Sequence, residues 1–126
     1  METKLAELAA RRRTDDDLAE IDGALAQMRE EIDAGERGLV GDRRFHAAVT
    51  AAARSSLLAQ FMGSIAGQIA ESRQESLQQP GRPPRSLAQH QRIADAIRAG
   101  NPSAAATAMR RHVRSVSRVR LLGWEP

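Results

Sequence analysis

The amino-acid sequence predicts an all-α protein that folds as an antiparallel bundle of about six helices. Composition is the first reason: the 126 residues are 41% hydrophobic but only 2% aromatic, and the residue types that dominate are helix formers. Periodicity is the second reason, because apolar residues recur every three or four positions and no alternation typical of β-strands competes. The length fits one domain, residues 1–126, with a single hydrophobic core.

Four helices are predicted in the first part of the chain, with boundaries set by caps and glycines. Thr14 followed by Asp17 is a capping-box pattern that opens the second helix. Gly35 and Gly38 end that helix, since glycine is favoured just beyond a helix C-terminus. The predicted ranges are residues 4–13, 15–34, 42–53 and 56–77.

Two more helices are predicted after a loop. Residues 78–85, QQPGRPPR, contain three prolines and one glycine, which favour a loop over a continued helix. Ser86 and Gln89 form a second capping-box pattern, so the fifth helix is predicted to begin at Ser86. Gly100 ends this helix, and Asn101 is the predicted N-cap of the last one.

The residue types and segments that are missing exclude several classes of protein. Without cysteine, the chain cannot form a disulfide or a thiolate metal site. No apolar run approaches the roughly 18 residues of a membrane span, and the N-terminus shows no secretory signal pattern. We therefore expect a cytoplasmic protein with no membrane partner.

Charged residues are unevenly distributed, although the net charge is only +3. Residues 14–36 contain nine acidic residues and a single base, Arg29. Five arginines cluster near the C-terminus: Arg110, Arg111, Arg114, Arg118 and Arg120. They could bind nucleic acid. Alternatively, since all but one of the 19 bases are arginine, they reflect a general preference for arginine, and a neighbouring acidic helix would cancel much of their field.

The three histidines, His46, His90 and His112, all fall on the apolar stripes of their predicted helices. Asp42 precedes His46 by one helical turn, so these two side chains share a face. If the three helices meet, one carboxylate and three imidazoles form a ligand set for Zn, Ni, Co, Mn or Fe. Alternatively, each histidine is a hydrogen-bonded core residue and Asp42 is favoured by the helix dipole. Spacing alone leaves both interpretations open.

Four segments in order along the chain resemble the FCD domain, the C-terminal effector-binding domain of GntR-type bacterial transcription regulators. They are LAARRRTDDDLAEI at residues 8–21, DRRFH at 42–46, SLAQHQRIADAI at 86–97 and AMRRHV at 108–113. The chain departs from the family pattern at Ala53 and Arg54, where a Gly-Asn pair is common, and at Gln89, where glutamate is common. Neither departure removes a metal ligand.

The resemblance implies a divalent metal ion at the floor of a central cavity inside the bundle. The matching ligand positions are Asp42, His46, His90 and His112, with Zn or Ni expected and Mn, Fe or Co as alternatives. The resemblance also implies a small organic acid as effector, a homodimer, and DNA binding only through a separate N-terminal winged helix-turn-helix domain. Arg73 is a candidate for binding a ligand carboxylate, although the simpler interpretation is a solvated charge on a helix face.

The predicted function is therefore effector sensing without enzymatic activity, in which metal and acid binding control a separate DNA-binding domain. One alternative is a metal-dependent enzyme, which is disfavoured because no tyrosine and no further histidine remain for acid-base chemistry. A second is a metal-free helical interaction module, whose stability a chelator would not change. A third is direct DNA binding through the arginines between residues 110 and 120, which would be sensitive to salt.

Overall fold

Seven helices and no strands make up residues 1–122, which a computed structural model describes, with side chains described for residues 1–116. In chain order the helices are α1 (Glu2–Arg12), α2 (Asp15–Asp33), α3 (Leu39–Ala52), α4 (Ser56–Ser64), α5 (Ala66–Leu77), α6 (Arg82–Arg98) and α7 (Pro102–Leu122). This architecture confirms the predicted all-helical fold, with one helix more than the approximate count.

The additional helix arises because the segment predicted as one helix at residues 56–77 is divided at Ile65. The backbone of Ile65 has φ −113° and ψ 12°, outside the α-helical range. Gly63 and Ser64 precede the break, and both are poorer helix formers than alanine. The Ser64 hydroxyl also donates to the carbonyl oxygen of Phe61 at 2.6 Å, which competes with regular helical hydrogen bonding. Helix α4, which ends at this break, contains no buried residue.

The starts of α2 and α3 are set by a capping box and a glycine. Thr14 and Asp17 form the predicted capping box, in which Asp17 N–H donates to Thr14 Oγ1 at 3.2 Å and Thr14 N–H donates to Asp17 Oδ2 at 2.9 Å. Helix α3 begins at Leu39, three residues earlier than predicted, because Gly38 adopts φ 80° and forms its N-cap. Asp42 therefore lies within the first turn of α3.

Helix α6 begins at Arg82, four residues earlier than predicted. Gly81, at φ 76°, forms its N-cap. Two prolines at residues 83–84 fit the first turn, where the N–H groups that they lack would have no intrahelical acceptor. The predicted capping box at Ser86 is wrong, because Ser86 is buried inside α6. Asn101, by contrast, caps α7 as predicted.

Helices α2 and α3 pack closely at Gly41, which has no side chain. A Cβ atom at Gly41 would lie 2.5 Å from Met28 Cα, too close for any side chain without movement of the backbone. The buried apolar core of the bundle comprises Ala6, Ala9, Ala10, Ile21, Ala24, Leu25, Phe45, Ala48, Val49, Ala52, Ile93, Ala94, Ile97, Ala105 and Met109. Gly41 immediately precedes Asp42, so this packing also fixes the position of that carboxylate.

Acidic residues of α2 pair with arginines from neighbouring parts of the bundle. The pairs are Arg44–Glu20 at 2.7 Å, Arg54–Asp17 at 2.9 Å and Arg98–Asp22 at 2.5 Å. In these pairs the acidic charge of α2 partly cancels the charge of three arginines that lie outside the C-terminal arginine cluster. Arg118 and Arg120 of the C-terminal arginine cluster lie outside the residues with described side chains. None of the described helices has the length and hydrophobicity needed to cross a bilayer.

Candidate metal centre

The four residues predicted as metal ligands, Asp42, His46, His90 and His112, lie together in the interior of the protein. Asp42 and His46 project from α3 one turn apart, whereas His90 comes from α6 and His112 from α7. Their exposed fractions are 3%, 5%, 0% and 1%. One ligand atom from each residue lies within 4.8 Å of the other three, so all four could contact a single ion.

Distances among the donor atoms suit one divalent first-row metal. Asp42 Oδ1 lies 3.2 Å from His90 Nε2 and 3.5 Å from His46 Nε2. His90 Nε2 lies 3.2 Å from His112 Nε2. Donors held about 2.1 Å from one ion are roughly 3.0 Å apart at octahedral angles and roughly 3.4 Å apart at tetrahedral angles. These three spacings therefore fit donors of one shared ion.

Contacts on the far side of two imidazoles direct their lone pairs into the cluster. His112 Nδ1 lies 2.7 Å from Gln89 Oε1, which only accepts, so Nδ1 carries the proton and Nε2 is available for an ion. His46 Nδ1 lies 3.4 Å from Glu2 Oε1, which favours the same tautomer. Within the described part of the chain, His46 Nε2 is buried without a hydrogen-bond partner. An ion between the four side chains would satisfy that atom.

The surroundings hold Asp42, His90 and His112 in the protonation states that bind metals, whereas the raised pKa of His46 favours a proton that an ion would displace. Burial lowers the pKa of His90 to about 4 and also lowers the pKa of His112. Although burial opposes ionisation of His46, the carboxylates of Asp42 and Glu2 raise its pKa overall. Burial also opposes ionisation of Asp42, which raises its pKa. The contacts of Asp42 with His46 and His90 outweigh burial and hold that pKa well below its usual value. An ionised carboxylate and neutral imidazoles are the forms that bind divalent ions.

Gln89 links α6 to α7 and orients His112. Its Oε1 atom faces His112 Nδ1 and also accepts a hydrogen bond from Arg82 at 2.8 Å. Its Nε2 atom donates to Ser115 Oγ at 3.1 Å, which is consistent with this orientation of the amide. The spacing of Ser86 and Gln89 suggested a helix cap. The contact of Gln89 with His112 joins two helices and therefore leaves no signal in the local sequence. The signals that the sequence offered were the position of Gln89 next to His90 and its place where the FCD family commonly has glutamate.

Replacing Gln89 by alanine is expected to weaken zinc binding about 10- to 100-fold, the usual cost of losing a residue that orients a metal ligand. Gln89→Glu retains an acceptor for His112 and adds a charge partner for Arg82, so it should bind zinc at least as tightly as the wild type. Competition with a chromophoric chelator measures both affinities. Unchanged zinc affinity in Gln89→Ala, or equal weakening in both variants, would contradict the orienting role.

A cavity of about 420 Å³ lies beside the cluster, and His46 and His112 form part of its wall. Glu2 and Arg73 are the charged residues of this wall, where Arg73 donates to the Glu2 carboxylate and joins α5 to α1. Burial raises the pKa of Glu2, but the contacts with His46 and Arg73 outweigh burial and lower that pKa to about 2. Arg73 is therefore a cavity residue, not a solvated charge. No sequence pattern singles out Glu2, since its partners lie far along the chain.

Comparisons with known proteins agree with this architecture. The FCD domain family matches residues 1–115, a range that includes all four clustered residues. The HTH-type transcriptional regulator LutR of Bacillus subtilis (strain 168) is 32% identical over 124 residues, which cover 94% of this chain and 57% of the relative. The solved structure of Streptococcus agalactiae GntR is similar with a TM-score of 0.79 and 29% identity, covering 94% of this chain and 53% of that chain. The chain thus spans a little over half the length of both relatives.

Proposed function

Because this chain belongs to the FCD domain family, we propose that it is the effector-sensing domain of a GntR-type transcription regulator and binds a divalent metal and a small organic acid. The observation that carries this proposal is the buried cluster of Asp42, His46, His90 and His112, whose donor atoms lie within 4.8 Å of one another beside a cavity. Zn or Ni is the expected ion, with Mn, Fe or Co as alternatives, because all of these accept imidazole and carboxylate ligands.

The acid binds in the cavity next to the cluster. When bound, the ion supplies positive charge and vacant coordination positions that a carboxylate oxygen can fill. Arg73 adds positive charge at the same wall of the cavity. Glu2 accepts from one terminal nitrogen of this guanidinium, whose fork carries five N–H donors in all, so Arg73 can also donate to the carboxylate of the ligand.

Acid binding controls DNA binding by a separate domain, by favouring one packing of the helices over another. This requires that the acid bind the two arrangements with different affinities. The similarity to longer transcription regulators supports such a role, and we assign no catalytic function to the cluster.

The protein acts in the cytoplasm as a homodimer. Leu57 and Phe61 of α4, 75% and 48% exposed, support self-association, which light scattering tests as a mass near twice 13.7 kDa.

Titration calorimetry with acetate and hexanoate tests the proposed function. We expect the zinc-loaded chain to bind at least one of these acids and the metal-stripped chain to bind neither. Arg73→Gln should weaken acid binding about tenfold, as expected for loss of a charged hydrogen-bond donor. Arg92→Gln, which removes an exposed arginine of α6, is the control and should bind as the wild type does. Acid binding that is unaffected by metal removal would contradict the proposal.

A further inference from the structure

The cavity beside the metal cluster combines one contiguous polar group with a mainly aliphatic wall. The polar group consists of Glu2, Arg73, His46 and His112. The aliphatic residues are Ile65, Ile69, Val113 and Val116. Outside this polar group, the described residues that line the cavity include only two with polar side chains, Gln68 and Ser72. A ligand lying against this wall would therefore find few hydrogen-bond partners for hydroxyl groups in its body.

The charges around the cavity accommodate one negative charge from a ligand. Arg73 and Glu2, with side chains 15% and 18% exposed, form an ion pair and neutralise each other. A divalent ion held by Asp42 and three neutral imidazoles carries one net positive charge. A single carboxylate neutralises that charge. A second carboxylate would be desolvated close to Glu2, which is costly because Arg73 is already paired with Glu2 and, in the proposed function, donates to the first carboxylate.

We propose that this site selects monocarboxylic acids with an apolar body, and that Glu2 is the residue that rejects a second carboxylate. This inference rests on the proposed function, because it assumes that acids bind in this cavity in a metal-dependent manner. The volume of about 420 Å³ equals that of roughly 14 water molecules. It suits an acid with a short alkyl or aryl body.

Three acids with six carbons each separate the contributions of the apolar wall and of Glu2. Hexanoate carries one carboxylate and an alkyl chain, adipate adds a second carboxylate, and gluconate replaces the alkyl chain with a polyhydroxy chain. We expect calorimetry on the zinc-loaded chain to show hexanoate binding at least about tenfold more tightly than either of the others. Adipate is disfavoured by the charge of Glu2, and gluconate loses water from its hydroxyl groups against the aliphatic wall.

Variants of the wall residues assign these preferences to specific side chains. Glu2→Gln removes the negative charge but keeps an oxygen that can accept from Arg73 and His46. We expect it to reduce the ratio of hexanoate to adipate affinity by at least about fivefold. Glu71→Gln, which removes an exposed carboxylate from the same helix as Arg73, should leave that ratio unchanged. Val116→Thr, a nearly isosteric change, should lower the ratio of hexanoate to gluconate affinity.

The outcomes distinguish failure of this inference from failure of the proposed function. If adipate or gluconate binds as tightly as hexanoate, or if Glu2→Gln leaves the hexanoate-to-adipate ratio unchanged, the inference is overturned while metal-dependent acid binding stands. If none of the three acids binds to the zinc-loaded chain, the acid-binding step of the proposed function fails, and the inference fails with it. Zinc content is measured for each variant, so that the affinities compare chains with equal metal occupancy.

Discussion

His112→Ala is expected to remove the stabilisation that zinc gives to the wild-type chain. An ion that binds only the folded state raises the free energy of unfolding by about 2.7 kcal/mol at a hundred times its dissociation constant. His112 provides one of the four clustered donors and is 1% exposed. Thermal unfolding with and without zinc gives the effect of the ion within each variant. This comparison separates metal binding from the packing that is lost with the imidazole.

Val113→Ala is the matched control for this substitution. Val113 follows His112 in α7, is half-buried against the core and carries no donor atom. We expect the alanine variant to lose some stability but to retain the full zinc-dependent rise. A zinc-dependent rise of wild-type size in His112→Ala would contradict the assignment of this ligand. No rise in the wild-type chain would favour the alternative in which the three histidines are core residues.

Gly41→Ala is expected to destabilise the protein strongly and to disturb the cluster. The new Cβ would lie 2.5 Å from Met28 Cα, and backbone atoms cannot turn away as the end of a flexible side chain can. Helices α2 and α3 would have to separate, and overpacking of this kind costs about 1–3 kcal/mol or more. Zinc affinity should fall as well, because the next residue is Asp42. Chemical denaturation and zinc titration measure the two effects.

Gly67→Ala is the matched control for Gly41→Ala. Gly67 lies in α5, and no atom approaches within 4 Å of a Cβ built there. Alanine favours a helix over glycine by up to about 1 kcal/mol, so this variant should be as stable as the wild type or slightly more stable. If Gly41→Ala and Gly67→Ala unfold at the same denaturant concentration, the close packing of α2 on α3 does not limit stability.

The sequence predicts the features that depend on local pattern. The capping box of Thr14 and Asp17 identifies the start of α2, because both of its hydrogen bonds form between residues three apart. Placement of every histidine on an apolar stripe predicts burial, which the structure confirms for His46, His90 and His112. Asp42 and His46 share a face of α3 because they are one helical turn apart, which helical geometry alone predicts. Their assembly with the other two histidines needed the family resemblance as well.

Features that depend on contacts between distant helices could not be predicted in the same way. Gln89 faces His112 from a different helix, a contact that local sequence does not reveal. Its spacing from Ser86 suggested instead a helix cap, which does not form. Glu2 reaches Arg73 across 71 positions of sequence, and an isolated glutamate near the N-terminus gives no sign of such a contact. The break at Ile65 reflects the modest cost of ending a helix after glycine and serine, which apolar periodicity does not reveal.

The most direct test of the metal centre is X-ray absorption at the zinc edge of the zinc-loaded chain. The cluster of Asp42, His46, His90 and His112 predicts one zinc per chain, nitrogen and oxygen donors at about 2.0–2.2 Å, and outer-shell scattering from three imidazoles. In His112→Ala the scattering should correspond to two imidazoles or the zinc should be lost. A first shell of oxygen donors without imidazole scattering, or a wild-type chain that retains no zinc, would contradict a metal centre built from these four residues.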